Sequence, residues 1–266
     1  MNLSQLTPAV CRIATETGGY LKAERKNFRR EAVVEKHAHD YVSYVDRQAE
    51  KRIVEALSPL LPQAGFITEE ETVRYAGQPL YWVIDPLDGT TNYIHDNPSY
   101  CVSIALCSHT ELLLGVVYEP CRDECFYGWK GGGAYLNGQP LRVSTLADMQ
   151  QALLVTELPY NYQQYARTAE HLLHALYGRV GALRMNGSAA LALCYVAAGR
   201  FDGWMEAFIG RWDYSAAALL VQEAGGRVTD FRGRDDFGAG HHIVASNGLL
   251  HESLLHVLAG AMPEGI

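Results

Sequence analysis

One stretch of this chain indicates how it folds and what it can bind: Tyr81-Trp82-Val83-Ile84-Asp85-Pro86-Leu87-Asp88-Gly89-Thr90-Thr91-Asn92. Its first four residues are apolar and predict a short buried strand. Because Pro86 lacks an N–H and has a fixed φ, we expect the strand to end at that residue. Gly89 permits a tight turn and a close backbone approach. Thr90 and Thr91 then offer hydroxyl and N–H groups where a helix can begin.

The two carboxylates of this stretch, Asp85 and Asp88, stand beside a hydroxyl and a group of N–H donors. Carboxylate oxygens are suitable ligands for a hard cation, and N–H groups at the start of a helix bind phosphate oxygens. A surface turn after a strand can also contain Asp, Pro and Gly, but such a turn does not require the whole string. The stretch therefore predicts a site that binds a cation and a phosphate group together.

Two further acidic segments occur on either side of this stretch. Glu69-Glu70-Glu71 directly follows residues 65–68, a short apolar run that predicts a strand. Downstream, Trp212-Asp213 lies at the start of an apolar segment that predicts a helix ending at Gly225-Gly226. The chain thus carries three acidic segments, each at the end of a predicted strand or at the start of a predicted helix.

With these three segments the chain resembles the inositol monophosphatase family of magnesium-dependent, lithium-sensitive phosphatases. The resemblance extends from about residue 34 to residue 248, and DPLDGTTN at residues 85–92 is its most specific part. It implies an α+β fold in which helices and sheets alternate in an αβαβα sandwich of the sugar-phosphatase type. It also implies two or three Mg²⁺ ions in each active site.

The metal ligands implied by the resemblance lie on separate segments of the chain: Glu69, Asp85, the Leu87 carbonyl, Asp88 and Asp213. In the family pattern, Asp85 bridges the first two ions, and a third, weaker ion contacts Glu69 again. Four carboxylates suffice because Mg²⁺ retains several water ligands. Bound Mg²⁺ would lower the pKa of the attacking water and neutralise the phosphate.

The resemblance also assigns residues to water and to substrate. Thr90 would orient the attacking water, Asp46 would lie behind the metals, and Glu70 would orient water without binding metal. Phosphate oxygens would accept hydrogen bonds from the N–H groups of Gly89 and Thr90. Substrate hydroxyls would be bound by a turn and a glutamate, which correspond to Gly187, Ser188, Ala189 and Glu206.

Other interpretations of several of these residues stay open at this point. Gly187-Ser188 can equally be a plain helix cap, and Glu206 can be an exposed strand end. Asp46 can be an ordinary surface charge. Lys36, which matches a mobile loop near the substrate in the family, can be one as well.

Length and pattern predict how the chain is divided. At 266 residues, 48% of them hydrophobic, the chain can bury a large core as one domain or as two closely packed ones. Residues 1–143 contain strands in hairpin order, with Asn137-Gly138 as a tight-turn signal, and predict an antiparallel sheet with the metal motif. Residues 144–266 alternate strands and helices, and this half would supply Asp213 and the substrate contacts.

Composition bounds the partners and the compartment. A formal net charge of −8 argues against nucleic acid and anionic membranes, since either partner would require a basic patch. No apolar run resembles a signal peptide or reaches the length of a membrane span. The six cysteines show neither a paired framework nor zinc-site spacing. We expect a cytoplasmic protein, and the resemblance adds a small phosphate ester as substrate and a homodimer as assembly.

The substrate prediction depends on residues next to the metal motif. Related nucleotide phosphatases have a lysine and a glutamate after DGT, where this chain has Thr91-Asn92. This difference favours an inositol-1-monophosphatase that acts on inositol 1-phosphate. Fructose-1,6-bisphosphatase and 3′,5′-bisphosphate nucleotidase are the alternatives, because Arg211 lies two positions before Asp213 and could reach a second anionic group.

Three other classes are less consistent with the motif. Phosphatases that form an aspartyl phosphate have one residue between their aspartates, whereas Asp85 and Asp88 have two between them. A calcium-binding EF-hand loop needs acidic residues at alternate positions, which Asn92-Tyr93-Ile94 cannot supply. A catalytically inactive regulator would be expected to lack a ligand, but all four carboxylates are present.

Overall fold

Helices in three layers enclose two β-sheets in the structure, a computed structural model that describes residues 1–28, 33–37, 40–159, 162–235 and 242–260. For residues 35–37, 40 and 162 only the backbone is described. The helices are α1 (Leu3–Arg25), α2 (Tyr44–Leu57), α3 (Thr90–Ile94), α4 (Tyr162–Leu176), α5 (Ala189–Ala197), α6 (Arg211–Glu223) and α7 (His251–Leu258). In the first half the strands are β1 (Val34–His37), β2 (Asp40–Val42), β3 (Gly65–Thr68), β4 (Leu80–Asp88), β5 (Cys101–Ser108), β6 (Leu112–Glu119), β7 (Glu124–Trp129), β8 (Gly133–Leu136) and β9 (Gln139–Pro140). The second half contains β10 (Leu153–Thr156), β11 (Ala182–Arg184), β12 (Gly203–Ala207), β13 (Arg227–Thr229) and β14 (His242–Ser246).

The larger sheet has seven strands in the order β3-β4-β5-β6-β7-β8-β9. All of its neighbouring pairs are antiparallel except β3 and β4, which are parallel. The predicted hairpin turn at Asn137-Gly138 is confirmed, because both residues have positive φ and connect β8 to β9. Helices α1 and α2 cover one face of this sheet through an apolar cluster that includes Val10, Ile53 and Trp82.

The end of strand β4 differs from the prediction. The strand does not stop at Pro86 but continues to Asp88. Its pairing with β5 is regular as far as Asp85 opposite Ser103, then shifts, and resumes with Asp88 opposite Cys101. Three steps along β4 therefore match two along β5, which is the geometry of a β-bulge. Because a bulged residue needs no ladder hydrogen bond, the missing N–H of Pro86 does not end the strand.

The second sheet has five strands in the order β11-β10-β12-β14-β13. Strand β10 is parallel to both of its neighbours, whereas β14 is antiparallel to both of its own. Helices α5 and α6 lie between the two sheets, and α4 and α7 cover the outer face of the second. The αβαβα order of layers expected from the sequence is confirmed. None of the described helices is both apolar enough and long enough to cross a membrane.

The predicted boundary between residues 143 and 144 stays a prediction. One buried apolar cluster includes residues from both sides of it, among them Val117 and Phe126 before the boundary and Trp204 and Ala216 after it. The two halves therefore share a hydrophobic core.

Gly115 in strand β6 allows helix α6 to approach the larger sheet closely. A Cβ atom at this position would lie 2.3 Å from the carbonyl oxygen of Ala216 and 3.0 Å from its Cα. Both contacts are with backbone atoms, which cannot rotate away as a side chain could. The packing distance between sheet and helix therefore depends on the absence of a side chain at Gly115.

We expect Gly115→Ala to lower the free energy of unfolding by about 1–3 kcal/mol, because the added methyl group forces α6 away from the sheet. Gly19→Ala is the matched control, since a Cβ at this exposed position in α1 would meet no atom within 4 Å. That change should stabilise the protein by about 0.5–1 kcal/mol through helix propensity. Urea unfolding of both variants measures the difference, and equal stability of the two would contradict the close contact.

Candidate active site

Three carboxylates from two distant parts of the chain converge at one place. Asp85 and Asp88 lie at the end of β4, and Asp213 is the third residue of α6. One oxygen from each of them lies within 4.8 Å of the others. Asp213 Oδ2 also accepts a hydrogen bond of 2.9 Å from the N–H of Gly210, so the start of α6 fixes its direction.

The electrostatics of this cluster favour a bound cation. Burial raises the pKa of Asp85 well above its usual range, and the carboxyl groups of Glu69, Asp88 and Asp213 raise it further. Burial also raises the pKa of Asp88. Negative charges held this close repel one another unless protons or a cation neutralise them. Because all the possible ligand atoms are carboxylate oxygens, the cluster fits a hard divalent ion such as Mg²⁺.

Asp88 is held by the start of helix α5. Its Oδ2 accepts hydrogen bonds of 2.7 Å from the Ser188 hydroxyl and 2.7 Å from the Ala190 N–H. The thiol of Cys101 lies 3.6 Å from the same oxygen. Ser188 is buried and caps α5, so the helix-cap interpretation is confirmed, and the cap also contacts the predicted ligand Asp88. Contact between Ser188 and substrate stays a prediction.

Thr90 connects the metal motif to helix α2. Its hydroxyl lies 3.2 Å from Asp46 Oδ1 and 3.0 Å from the carbonyl oxygen of Leu87. Asp46 is fully buried, so it is not the surface charge left open above. The N–H and hydroxyl of Ser43, which caps α2, bind Asp46 Oδ2 at 2.9 and 2.6 Å. Burial raises the pKa of the Asp46 carboxyl above its usual range.

The acidic turn after β3 depends on a residue that the sequence reading did not single out. Glu50 on α2 is fully buried, and its carboxylate accepts hydrogen bonds from the N–H groups of Glu70 and Thr72 at 2.8 and 2.9 Å. These hydrogen bonds fix the turn that carries Glu69. The Glu69 carboxyl interacts with that of Asp85. The Glu70 side chain is buried, with one oxygen 3.8 Å from Arg47 Nε.

A cavity of about 220 Å³ opens beside the carboxylate cluster. Eight of the residues predicted from the sequence line it: Glu69, Asp88, Gly89, Gly187, Ser188, Ala189, Glu206 and Asp213. The other predicted residues do not line it: Asp46, Glu70, Asp85, Leu87 and Thr90. Lys36 lies on β1, and its side chain falls outside the described part of the structure.

Two carboxyl groups form the polar part of the cavity away from the metal cluster. Burial raises the pKa of Glu206 well above its usual range, and the nearby charges of Glu157 and Asp213 raise it further. Burial raises the pKa of Glu157 to about 7. Glu157 Oε1 also accepts hydrogen bonds from the N–H groups of Asn186 and Gly187 at 2.7 and 3.0 Å.

Asn92 binds the same turn from the other side. Its Nδ2 lies 3.0 Å from the Asn186 carbonyl oxygen, 3.1 Å from that of Gly187 and 2.7 Å from that of Ser99. Neither Glu157 nor this contact of Asn92 was predicted. Glu157 lies in no motif, although a carboxyl at the end of a predicted apolar strand was the signal that could have revealed it.

Arg211 points away from this cavity and does not line it. Its Nη2 donates a hydrogen bond of 3.1 Å to the Tyr81 hydroxyl, and its guanidinium lies 5.6 Å from the centre of the Tyr81 ring. Tyr81 lies near the start of β4, at the opposite end from the aspartates. Arg211 therefore does not reach into the cavity, where it could have bound a second anionic group of a substrate.

Comparison with known proteins identifies the family of this chain. The profile of the inositol monophosphatase family matches residues 2–262. The chain belongs to this family. Nus factor SuhB of Escherichia coli (strain K12) is 42% identical over 234 residues, which cover 86% of this chain and 88% of that protein. Inositol-1-monophosphatase of Rhizobium meliloti (strain 1021) is 38% identical over 229 residues, which cover 84% of this chain and 85% of that protein.

Solved structures of the inositol monophosphatase family share the fold. The structure of inositol monophosphatase from Anabaena (Nostoc) sp. PCC 7120 superimposes with a TM-score of 0.88 at 33% identity and covers 99% of both chains. The family is in general Mg²⁺-dependent, and the cluster of Asp85, Asp88 and Asp213 is compatible with a metal ion.

The raised pKa values predict how the metal-free protein responds to pH. Asp85 and Asp88 have a higher pKa when folded than when unfolded, so above about pH 4 the folded state binds more protons. The melting temperature of the metal-free protein should therefore fall as the pH rises above about 4. Mg²⁺ should restore it, and Asp88→Asn should reduce the fall. A melting temperature that is insensitive to both pH and Mg²⁺ would contradict the repulsion within the cluster.

Proposed function

We propose that this protein is a Mg²⁺-dependent phosphatase that hydrolyses inositol 1-phosphate by direct attack of water on phosphorus. One observation carries the proposal: three carboxylates meet within 4.8 Å, and two of them, Asp88 and Asp213, line a cavity. Membership of the inositol monophosphatase family supports a phosphatase, and the particular substrate is our inference. The Rhizobium relative carries the name of this activity, whereas the name Nus factor SuhB gives no substrate.

We infer that Glu69, Asp85, Asp88, Asp213 and the Leu87 carbonyl hold two or three Mg²⁺ ions. Mg²⁺ in this place would supply positive charge to the phosphate oxygens and lower the pKa of bound water. Backbone N–H groups keep Asp85 and Asp88 in place. The N–H of Leu87 donates a hydrogen bond of 2.9 Å to Asp85 Oδ1, and the N–H of Ala190 donates one of 2.7 Å to Asp88 Oδ2. The ligands therefore need little rearrangement to bind a cation.

We infer that Thr90 and Asp46 accept a proton of the attacking water. The Thr90 hydroxyl can donate its proton to Asp46 and use its own oxygen to accept a hydrogen bond from water. Asp46 can take up a proton because burial raises its pKa. Glu70 lies behind Glu69, and we keep for it the role of orienting water. No covalent phosphoenzyme is required.

The polar groups of the cavity favour a monophosphate with hydroxyl groups over a bisphosphate. None of the described residues that line the cavity is a lysine or an arginine, so a second phosphate would meet no positive side chain there, and Arg211 is directed elsewhere. The carboxyl groups of Glu157 and Glu206 can exchange hydrogen bonds with substrate hydroxyls. We therefore place inositol 1-phosphate ahead of fructose 1,6-bisphosphate and of nucleoside 3′,5′-bisphosphates, and we assign phosphate binding to the N–H groups of Gly89 and Thr90.

We also propose the remaining properties expected from the sequence: inhibition by Li⁺, a homodimer, a cytoplasmic location and no nucleic-acid partner. The cytoplasmic location is supported by the six cysteines, all of which are free thiols. The absence of a nucleic-acid partner rests on the net charge of −8.

Asp88→Asn should lower kcat by about 1,000-fold or more at saturating Mg²⁺, because it removes one charge from the proposed ligand set while retaining an oxygen for Ser188 and Ala190. Asp148→Asn is the control, since Asp148 is exposed and its carboxylate binds only local groups of its own turn. Release of inorganic phosphate from inositol 1-phosphate measures both variants. Turnover of Asp88→Asn near that of the wild type would exclude the proposed metal site.

The substrate assignment predicts a ranking of three phosphate esters. With Mg²⁺, kcat/KM for inositol 1-phosphate should exceed that for fructose 1,6-bisphosphate and adenosine 3′,5′-bisphosphate by about 10-fold or more, because the described cavity lining offers a second phosphate no positive side chain; a 10-fold ratio corresponds to roughly 1.4 kcal/mol. All three esters are assayed at the same ionic strength, because salt screens the charges of the esters. A preference for either bisphosphate would overturn the substrate assignment and leave the metal site unchanged.

A further inference from the structure

Part of the cavity wall is apolar, and the proposed chemistry does not use it. Leu158 and Phe208 are large apolar side chains that remain 46% and 43% exposed, and both line the cavity. Leu158 follows β10, and Phe208 follows β12. Two exposed apolar residues from different segments therefore face the same space, next to the carboxyl groups of Glu157 and Glu206.

The backbone of Phe208 is strained. Its φ is +63°, in the left-handed region that a bulky side chain rarely adopts. Such a conformation persists only where the surroundings impose it, and it is frequently found at functional sites. A glycine would adopt the same φ without strain. A phenylalanine at this position is therefore unfavourable for the fold, which points to a role for the ring itself.

A backbone hydrogen bond and a contact between rings hold Phe208 at the cavity. The N–H of Phe208 donates a hydrogen bond of 3.2 Å to Nδ1 of the buried His242. The ring lies 5.4 Å from the ring of Tyr165, centre to centre, and the two planes are inclined by 36°. Tyr165 is buried in an apolar cluster with Leu172 and Met205, so one side of the Phe208 ring packs against the core and part of the side chain remains exposed.

We propose that Phe208 and Leu158 form an apolar subsite that selects phosphate esters of a ring alcohol, a cyclitol or a sugar, over esters of an open-chain alcohol. This inference rests on the proposed function and specifies its substrate class. A polyol ring has hydroxyl groups around its edge and a C–H surface on its faces. The C–H face would lie on Phe208 and Leu158, while hydroxyl groups would meet Glu157 and Glu206. A purely apolar ring would leave those carboxyl groups without hydroxyl partners.

Three substitutions of Phe208 separate this role from a structural one. Phe208→Gly removes the ring and the strain together, and Phe208→Asn removes the apolar ring with a residue that tolerates positive φ. Phe208→Tyr retains the ring. Tyr177→Ala is the control, because Tyr177 is 85% exposed and does not line the cavity. Each variant is assayed on inositol 1-phosphate and on glycerol 2-phosphate, and its melting temperature is measured with and without each ester in Mg²⁺.

Phe208→Gly and Phe208→Asn should raise KM for inositol 1-phosphate about 10-fold and change KM for glycerol 2-phosphate by less than about 2-fold, because only the ring ester loses apolar contact area. Without ester, Phe208→Gly should melt at or above the temperature of the wild type. Phe208→Tyr and Tyr177→Ala should keep the KM of the wild type for both esters.

An unchanged KM for inositol 1-phosphate in Phe208→Gly would overturn the subsite. So would a lower melting temperature combined with equal changes in KM for both esters, because the ring would then serve the fold. If the wild type hydrolyses neither ester, the proposed function is overturned, and the rise in melting temperature that each ester causes still decides the subsite. A larger rise with inositol 1-phosphate that disappears in Phe208→Gly supports the subsite, and equal rises overturn it.

Discussion

Repulsion among carboxylates is the constraint on which the rest of this structure depends. Asp85, Asp88, Asp213 and Glu69 are held together although their charges oppose it. Each is fixed by rigid surroundings: β4 is a buried strand, and the Glu69 turn is bound by Glu50. The fold thus stores unfavourable electrostatic energy that a divalent cation relieves on binding. A chain without such supports would separate the carboxylates.

Two of the three layers of helices supply residues to this site. Helix α2 supplies Asp46 and Glu50 from one face of the larger sheet, and helices α5 and α6 supply Ser188 and Asp213 from the other. The active site therefore lies where both faces of one sheet and the space between the two sheets meet. Because the hydrophobic core is shared by both halves of the chain, packing in that core positions the ligands. Gly115, far from the cluster in sequence, contributes by allowing α6 to lie close to β6.

Much of the fold could be predicted from the sequence, because local patterns determine it. Apolar runs and the Asn137-Gly138 turn signal each depend on neighbours a few positions away, and the corresponding strands, helices and turn are present. The predicted α+β layers are present as well. The predicted ligands could be named because three motifs carry them. Glu50 and Phe208 could not be predicted, since Glu50 acts through a segment distant in sequence and Phe208 through its own φ, which no local pattern reveals.

The β-bulge at Pro86 determines which face of the sheet the two aspartates occupy. In a regular strand, residues three positions apart point to opposite faces of the sheet. Asp85 and Asp88 would then lie on different sides of β4, and a single ion could not contact both. The additional residue in the bulge restores parity, so that both aspartates stand opposite Ser103 and Cys101, which share one face of β5. Two aspartates with this spacing can therefore contact the same ion only on a strand with one additional residue between them, and Pro86 lies within that bulge.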